Sequence, residues 1–326
     1  MKSIRTHFVC GLLITCCSLT EILASGLSPD FPENGPKGST QEDFDEFAWQ
    51  MFVAMNWPAM EGERGKPDKQ KNFGAPGPVV WTTFKTVEEV FPQNGTNPGT
   101  WNSGLGQKSL SRIGLGKLDD TKQAGTLATL TDQNGNLVRY DELVNQTFYE
   151  EVVKKKYYNK DTLDTLSQAI EMPYGSMEVK GAWRIMEPSD DATRFYTMKP
   201  TIEEKEYTVG LVGLHLTLKT ENSPQWIWAT YEQVDNAPDK KDKDKSGQWS
   251  FYNPKGTGTP ENTPTKEGTP AQITRVTPIR KTAADQNQKW HSKEGVKGTV
   301  WENYQLVITQ WPKDPFNLTQ HSRNQI

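Results

Sequence analysis

Residues 206–220 read EYTVGLVGLHLTLKT, and this stretch decides the fold. Between Tyr207 and Leu218 the residues alternate with a period of two and are mostly apolar or small, which predicts a β-strand. Strict alternation places six residues on one face: Thr208, Gly210, Val212, Leu214, Leu216 and Leu218. The other face is also apolar except at His215, so we expect a central strand that is covered on both sides.

Two neighbouring stretches alternate in the same way and supply the flanking strands. Residues 177–185 read MEVKGAWRI, and residues 226–232 read WIWATYE. Only residues 221–224 separate the second of these from the strand at 207–218, which predicts an antiparallel hairpin. We therefore predict an α+β fold, a single compact domain in which helices pack on a mostly antiparallel central sheet.

Helices and long Gly/Pro-rich loops surround the predicted sheet. Ser39 and Glu42 have the spacing of a capping box, and an apolar stripe with helical period follows. A second helix is predicted at residues 141–158, where apolar residues recur every four positions. Residues 79–85 predict a strand, and the Gly- and Pro-rich stretch at about 239–270 predicts a long surface loop.

The composition is that of a mildly acidic, exported protein. The net charge of −4 and the absence of a basic tail give no sign of nucleic-acid binding. Residues 1–25 combine a basic start, an apolar stretch at 8–19 and small residues, which is typical of a secretory signal. We predict export to the periplasm or the medium, with residues 26–326 as the exported domain and no transmembrane segment. Thr15 disfavours lipid attachment at the following Cys16.

All three cysteines, Cys10, Cys16 and Cys17, lie within the predicted signal. The exported chain would then have no thiol for a disulfide, a nucleophile, cysteine-ligated zinc or covalently attached haem. The histidines do not have metal-ligand spacing, so we predict neither a metal site nor a cofactor. A haem held non-covalently by His215 is the weaker alternative.

Seven motifs spread over residues 40–315 carry a resemblance to a known family. They are FVAMNWP (52–58), GSMEVKGAWR (175–184), GLVGLH (210–215), QWIWATYE (225–232), VDN (234–236), FYNP (251–254) and YQLV (304–307). Together they resemble exported bacterial proteins that are labelled "cytochrome c family protein". The resemblance implies the fold and the exported location. Longer members of that family continue into a Cys-x-x-Cys-His haem-attachment segment, which this sequence lacks, so the haem is not carried over.

Charged and aromatic side chains on the predicted strands supply the candidate site residues. Glu178 and Glu232 are candidate catalytic carboxylates, because glycosidases use two carboxyl groups about 5–9.5 Å apart. The candidate ligand-binding residues are Lys180, Trp183, Arg184, His215, Trp226 and Trp228. The tryptophans either stack on a sugar or another flat ligand or fill the core.

The predicted function is a haem-free, exported binding or accessory module rather than an enzyme, with a small molecule or a glycan as its ligand. The alternative is an extracytoplasmic hydrolase, acting on glycans through Glu178 and Glu232. A third interpretation is a cytochrome relative that pairs with a separate redox partner.

Overall fold

The computed structural model describes residues 26–104, 129–245 and 247–312. The predicted signal at residues 1–25, with its three cysteines, lies outside the described residues. The described strands are β1 (Lys85–Thr86), β2 (Arg139–Val144), β3 (Met177–Ile185), β4 (Thr197–Met198), β5 (Thr201–Ile202), β6 (Lys205–Glu206), β7 (Val209–Leu218), β8 (Ile227–Gln233) and β9 (Tyr304–Gln310).

The main sheet has the strand order β1–β2–β3–β7–β8–β9, and β4 pairs with the start of β7. All of these neighbours are antiparallel, including the predicted β7–β8 hairpin. β5 and β6 form a separate two-stranded hairpin.

The described helices are α1 (Gln41–Met55), α2 (Val87–Val90), α3 (Gln146–Lys155), α4 (Lys160–Asp164) and α5 (Lys281–His291). The α+β fold with a mostly antiparallel sheet is thereby confirmed. Across the described ranges, no helix has the length and apolar character that a membrane crossing requires.

The helix α1 begins one residue later than the capping box predicted from Ser39 and Glu42. Thr40 is the N-cap: its hydroxyl oxygen accepts a hydrogen bond from the Asp43 amide, and the Asp43 carboxylate accepts one from the Thr40 amide (2.9 Å). This reciprocal pair satisfies two amide groups that a helix end would otherwise leave without partners.

The helix α1 is buried on most of its circumference rather than along one stripe. The Trp49 ring stacks on Trp290 of α5 with ring centroids 5.8 Å apart. From the sheet, the Tyr231 hydroxyl of β8 donates a hydrogen bond to the Ala48 carbonyl oxygen (2.5 Å). The helix therefore packs between α5 and one face of the sheet, which we call the inner face.

A β-bulge at Val212 changes the phase of β7. On β3, Ala182 pairs with Gly213 but Trp183 pairs with Leu211, so Val212 is the extra residue. The inner face consequently carries Val209, Leu211, Leu214, Leu216 and Leu218. The outer face carries Gly210, Val212, Gly213, His215 and Thr217. The strict alternation predicted from the sequence was wrong, because it placed Gly210 and Val212 on the face of Leu214.

The segment 239–270 is not only the surface loop that its composition predicts. Phe251 and Tyr252 are buried, and Phe251 packs against Tyr140 and Val212 in a small apolar cluster on the outer face. This segment therefore covers one end of that face. The outer face at His215 is not covered, contrary to the expectation of a strand covered on both sides.

The predicted helix at 141–158 was wrong over its first residues. Residues 141–144 belong to β2, whose backbone pairs with β3. The helix α3 begins only after Asn145, whose side-chain oxygen accepts a hydrogen bond from the Phe148 amide (3.1 Å). A pattern that repeats every four residues thus spans the end of a strand and the start of a helix, where the cap decides the boundary.

The predicted strand at 79–85 is replaced mainly by a 3₁₀ turn at Val80–Thr83. The hydroxyl groups of Thr82 and Thr83 donate to the carbonyl oxygens of Val79 and Val80 (2.8 and 2.7 Å). Such local bonds compete with a sheet ladder for the backbone. Only Lys85 and Thr86 form a strand, β1.

Asp141 places a carboxyl group in the interior beside the inner face. Its Oδ1 accepts hydrogen bonds from the Gly181 amide and from Trp183 Nε1, both at 3.0 Å. Among the described residues, the buried Oδ2 has no hydrogen-bond partner. Burial raises the pKa of Asp141 to about 7, although these two hydrogen bonds act in the opposite direction. The folded state therefore prefers the protonated acid.

The Asp141→Asn variant tests how much stability the protein loses when the buried Asp141 carboxyl group ionises. The folded pKa lies above the unfolded value, so between about pH 4 and pH 7 the folded chain binds more protons and loses stability as the pH rises. We expect this loss to be on the order of 2–4 kcal/mol in the wild type and absent in Asp141→Asn. Urea unfolding across this pH range measures it, with the exposed Asp244→Asn as the matched control. If the free energy of unfolding changes with pH equally in all three proteins, the raised pKa of Asp141 is contradicted.

Candidate functional site

A cavity of about 710 Å³ opens on the outer face of the sheet, above β2, β3, β7 and β8. We call it the outer-face cavity. Five of the eight predicted site residues line it: Glu178, Lys180, His215, Trp228 and Glu232. The register of the four strands arranges its polar floor in three rows that run across the sheet.

The first row consists of Glu142, Lys180, His215 and Thr230, each paired with the next across adjacent strands. Lys180 Nζ donates a hydrogen bond to Glu142 Oε1 (2.7 Å), and His215 Nδ1 lies 3.0 Å from Thr230 Oγ1. The surrounding atoms desolvate His215, and together with the Lys180 charge they lower its pKa. This imidazole is therefore neutral at pH 7, where it can donate or accept a hydrogen bond but adds no positive charge.

The second row consists of Glu178, Thr217 and Trp228. Burial and the neighbouring Glu142 charge raise the pKa of Glu178, while Lys180 opposes the shift. Among the described residues no donor reaches the Glu178 carboxylate. An unpaired and partly buried carboxylate is costly, so this group is suited to an external partner.

The third row consists of Tyr140, Ala182, Gly213 and Glu232. Its two small residues form a low floor between Tyr140 and Glu232. Glu232 is ion-paired with Arg275, and its Oε1 also accepts a hydrogen bond from Gln305 Nε2 (2.9 Å). The Glu232 carboxylate is thus occupied within the protein, where it holds the segment around Arg275 against the sheet.

Glu178 and Glu232 do not have the spacing of a glycosidase pair. Glu178 lies across Thr217 from Trp228, and Glu232 lies four residues further along β8. With roughly 4.8 Å between strands and 3.3 Å per residue, their Cα atoms are about 16 Å apart. Glu232 is also held towards Gln305 on β9, on the side away from Glu178, so this arrangement does not favour the carboxyl spacing of about 5–9.5 Å that this chemistry uses.

Three predicted ligand-binding residues lie outside the cavity lining. Trp183 is on the inner face, where it is buried and bonded to Asp141. Trp226 precedes β8 and packs against the edge of the core, with Lys219 Nζ 5.9 Å from its ring centroid. These two tryptophans therefore pack in or against the core, and they do not form a surface on which a ligand could stack.

Arg184 is the third of these residues, and it forms a buried ion-pair cluster. Its Nε lies 3.2 Å from Asp132 Oδ2, and its Nη2 lies 3.0 Å from Asp190 Oδ2. The exposed fraction is 4% for the Arg184 side chain and 0% for that of Asp132. The guanidinium group, which also lies 5.8 Å from the Phe195 ring centroid, is engaged inside the protein and does not face a ligand.

The sequence interpretation missed Tyr140, Glu142 and Thr217. The first two lie in β2, which was interpreted partly as a helix, and Thr217 was overlooked as a small residue between two larger neighbours. Val138, Tyr140 and Glu142 alternate with period two and all line the cavity, a signal that could have identified the strand.

A metal centre is not indicated at this site. In the parts of the chain that the structure describes, no three His, Cys, Asp or Glu side chains come together as a group that could hold a metal ion.

The Arg184→Ala variant tests the structural role of this residue. Removing the cation leaves Asp132 buried without its charge partner, so we expect a loss of about 3–5 kcal/mol in the free energy of unfolding. The matched control is Lys154→Ala, which removes an exposed ion pair with Glu151 and should cost less than about 1 kcal/mol. Urea unfolding measures both. A small loss for Arg184→Ala, combined with weakened ligand binding, would restore Arg184 as a ligand-binding residue.

Comparisons of the chain with protein-family models, with curated proteins and with solved structures gave no match. The resemblance to exported proteins labelled "cytochrome c family protein" therefore stays a prediction.

Proposed function

We propose that this chain is a ligand-binding module and that its site is the outer-face cavity. The observation that carries the proposal is the Glu178 carboxylate, which faces this cavity without a partner among the described residues. Proteins pair their buried charges, and a carboxylate left available in a concave site is suited to a ligand that supplies a donor.

The two ends of the cavity differ in chemistry, which favours an amphipathic ligand. One end is apolar and is lined by Leu130, Val138, Val212, Phe251 and Ile273. The other carries the first and second polar rows, with Glu142, Glu178 and Lys180 as its charges. A small molecule with an apolar body and a polar head matches both ends. A glycan that presents an apolar ring face to Trp228 is the second kind of ligand that we consider.

We also propose that the protein works outside the cytoplasm and without covalently attached haem. The support is in the sequence: residues 1–25 have the pattern of a secretory signal, and residues 26–326 contain no cysteine. An accessory role beside a separate redox partner belongs to the same proposal and rests on the family resemblance alone.

Filling the outer-face cavity tests the binding proposal. Thr217 lies at the centre of the second row, so Thr217→Phe would place a ring where a ligand head would lie. We expect amines, sugars or amphipathic metabolites that raise the melting temperature of the wild type to leave that of Thr217→Phe unchanged. The matched control is Thr201→Phe, on the exposed side of β5, which should respond as the wild type does. Equal ligand shifts in Thr217→Phe and wild type would contradict the site.

A hydrolase is the second candidate, and the spacing of Glu142 and Glu178 favours it. Glu142 pairs with Lys180, two residues from Glu178 on β3, so the two glutamates are diagonal neighbours. Residues that are diagonal neighbours lie about 7–8 Å apart on one face of a sheet. If the two side chains run side by side, their carboxyl groups have the separation of an inverting glycosidase pair. The raised pKa of Glu178 would suit a general acid.

Assays of the wild type on a panel of aryl glycosides decide between the two candidates. If the hydrolase is correct, Glu178→Gln should lower kcat by about 10²-fold or more, because general acid catalysis contributes at least that much. The exposed Glu221→Gln should leave kcat unchanged. If the wild type releases no aglycone, or if Glu178→Gln is as active as the wild type, the hydrolase candidate is lost.

A further inference from the structure

We propose that the polar end of the outer-face cavity binds an organic ammonium group, held above Thr217 between the Glu178 carboxylate and the Trp228 ring. This inference rests on the proposed function and specifies the chemical class of the ligand: a small organic cation with an apolar body.

The spacing of the second row suits one such group. Glu178 pairs with Thr217, and Thr217 pairs with Trp228. Adjacent strands lie roughly 4.8 Å apart, which separates the two outer Cα atoms by about 9.6 Å. A charge-assisted contact to a carboxylate takes about 2.8 Å, and a cation lies within about 6 Å of a ring centroid. Thr217 is short enough to leave the space between them open.

The charges at this end favour a cation. Glu142 and Glu178 supply two carboxylates, and Lys180 is ion-paired with Glu142 (2.7 Å), although its charge also acts on Glu178 from a greater distance. His215 is neutral at pH 7. Glu232 is compensated by Arg275, which also pairs with Asp239 (2.7 Å). Among the carboxylates of the second row and of the adjoining first row, Glu178 is the one without an ion-pair partner in the described residues. The Glu178 carboxylate would repel an anionic ligand, and Lys180, the one lysine among the described lining residues, is already ion-paired with Glu142.

Trp228 supplies the second contact. Its side chain is partly exposed, and among the described residues neither an aromatic ring nor a cationic side chain packs on its indole. Within the described ranges, eight other aromatic rings lie near a lysine or arginine, Tyr140 with Lys180 among them (5.2 Å). The face of the Trp228 ring is thus available for a cation–π contact with a ligand, and Trp is the most favourable side chain for that contact.

The apolar end of the cavity accommodates the rest of the ligand. The first row lies between the second and the third, so the body of the ligand would cross it before it reaches the third row. The third row is low at Ala182 and Gly213, which leaves room towards Val212 and Phe251. The Cβ of an alanine at Gly213 would lie 3.3 Å from the Ala182 Cβ, so the floor is already closely packed. With the cation in the second row, its apolar substituent would point towards the end that the segment 239–270 covers.

A pair of isosteric probes tests the charge preference without any mutation. Choline carries a trimethylammonium group, and 3,3-dimethylbutan-1-ol has the same shape without the charge. Isothermal titration of the full chain should show choline binding at least about tenfold more tightly, which corresponds to about 1.4 kcal/mol. Glu178→Gln should remove most of the preference for choline over the alcohol, and the contact with Trp228 accounts for what remains. Trp228→Leu should weaken choline more than the alcohol, and the exposed Glu221→Gln, with the same change in net charge, should behave as the wild type.

Each other outcome has a definite meaning. If both probes bind equally well and Thr217→Phe blocks both, the cation preference is overturned while the proposed binding site stands. If neither probe binds, the cation proposal is overturned, and the melting-temperature panel on Thr217→Phe then decides whether the proposed function is lost as well. If choline is preferred but Glu178→Gln retains the preference, the charge responsible lies elsewhere and the proposal fails.

Discussion

The one-residue bulge at Val212 is the constraint on which the rest of the structure depends. In a regular strand, Leu211 and Gly213 would face the same side of the sheet. With the bulge, Val209 and Leu211 stay on the inner face with Leu214, Leu216 and Leu218, and His215 and Thr217 stay on the outer face. Without it, one half of β7 would expose its leucines or bury its polar residues, because a shift of one residue exchanges the two faces of a strand.

The same bulge separates two environments on the outer face. On one side of it, Val212 packs with Phe251 under the segment 239–270. On the other side, His215 and Thr217 remain open beside charged residues of β3 and β8. The apolar end and the polar end of the cavity are therefore consequences of where β7 changes phase.

Charge pairing decides which of the outer-face residues are available to a ligand. Arg184 and Glu232 are both engaged, with Asp132 and Asp190 in one case and with Arg275 and Gln305 in the other. Glu178 has no such partner among the described residues. Removing one member of a buried pair costs several kcal/mol, so engaged groups are poor ligand contacts, whereas an unpaired carboxylate gains from a new donor.

The sequence was sufficient to identify β3, β7 and β8 as strands of the core sheet and to predict the β7–β8 hairpin, because their period-two patterns and the short connection depend on local residues. It was also sufficient to select Glu178, Lys180, His215, Trp228 and Glu232 as candidates, and the structure places these five on the outer face. The phase change at Val212 could not be predicted, since a bulge is decided by the register of a neighbouring strand. The partners of Arg184 and Glu232 come from segments distant in sequence, so their engagement was equally hidden. Glu142 was missed because the start of α3 depends on the cap at Asn145.

Thiol labelling measures the phase change directly. In a chain with Cys10, Cys16 and Cys17 replaced by serine, single cysteines are introduced at Leu211 and at Gly213, and their reaction with a maleimide reagent is followed. With the bulge, Gly213→Cys reacts from the cavity in the folded state, while Leu211→Cys reacts only as fast as the core opens by unfolding. Similar labelling rates at the two positions would show a regular strand and would contradict the arrangement of both faces.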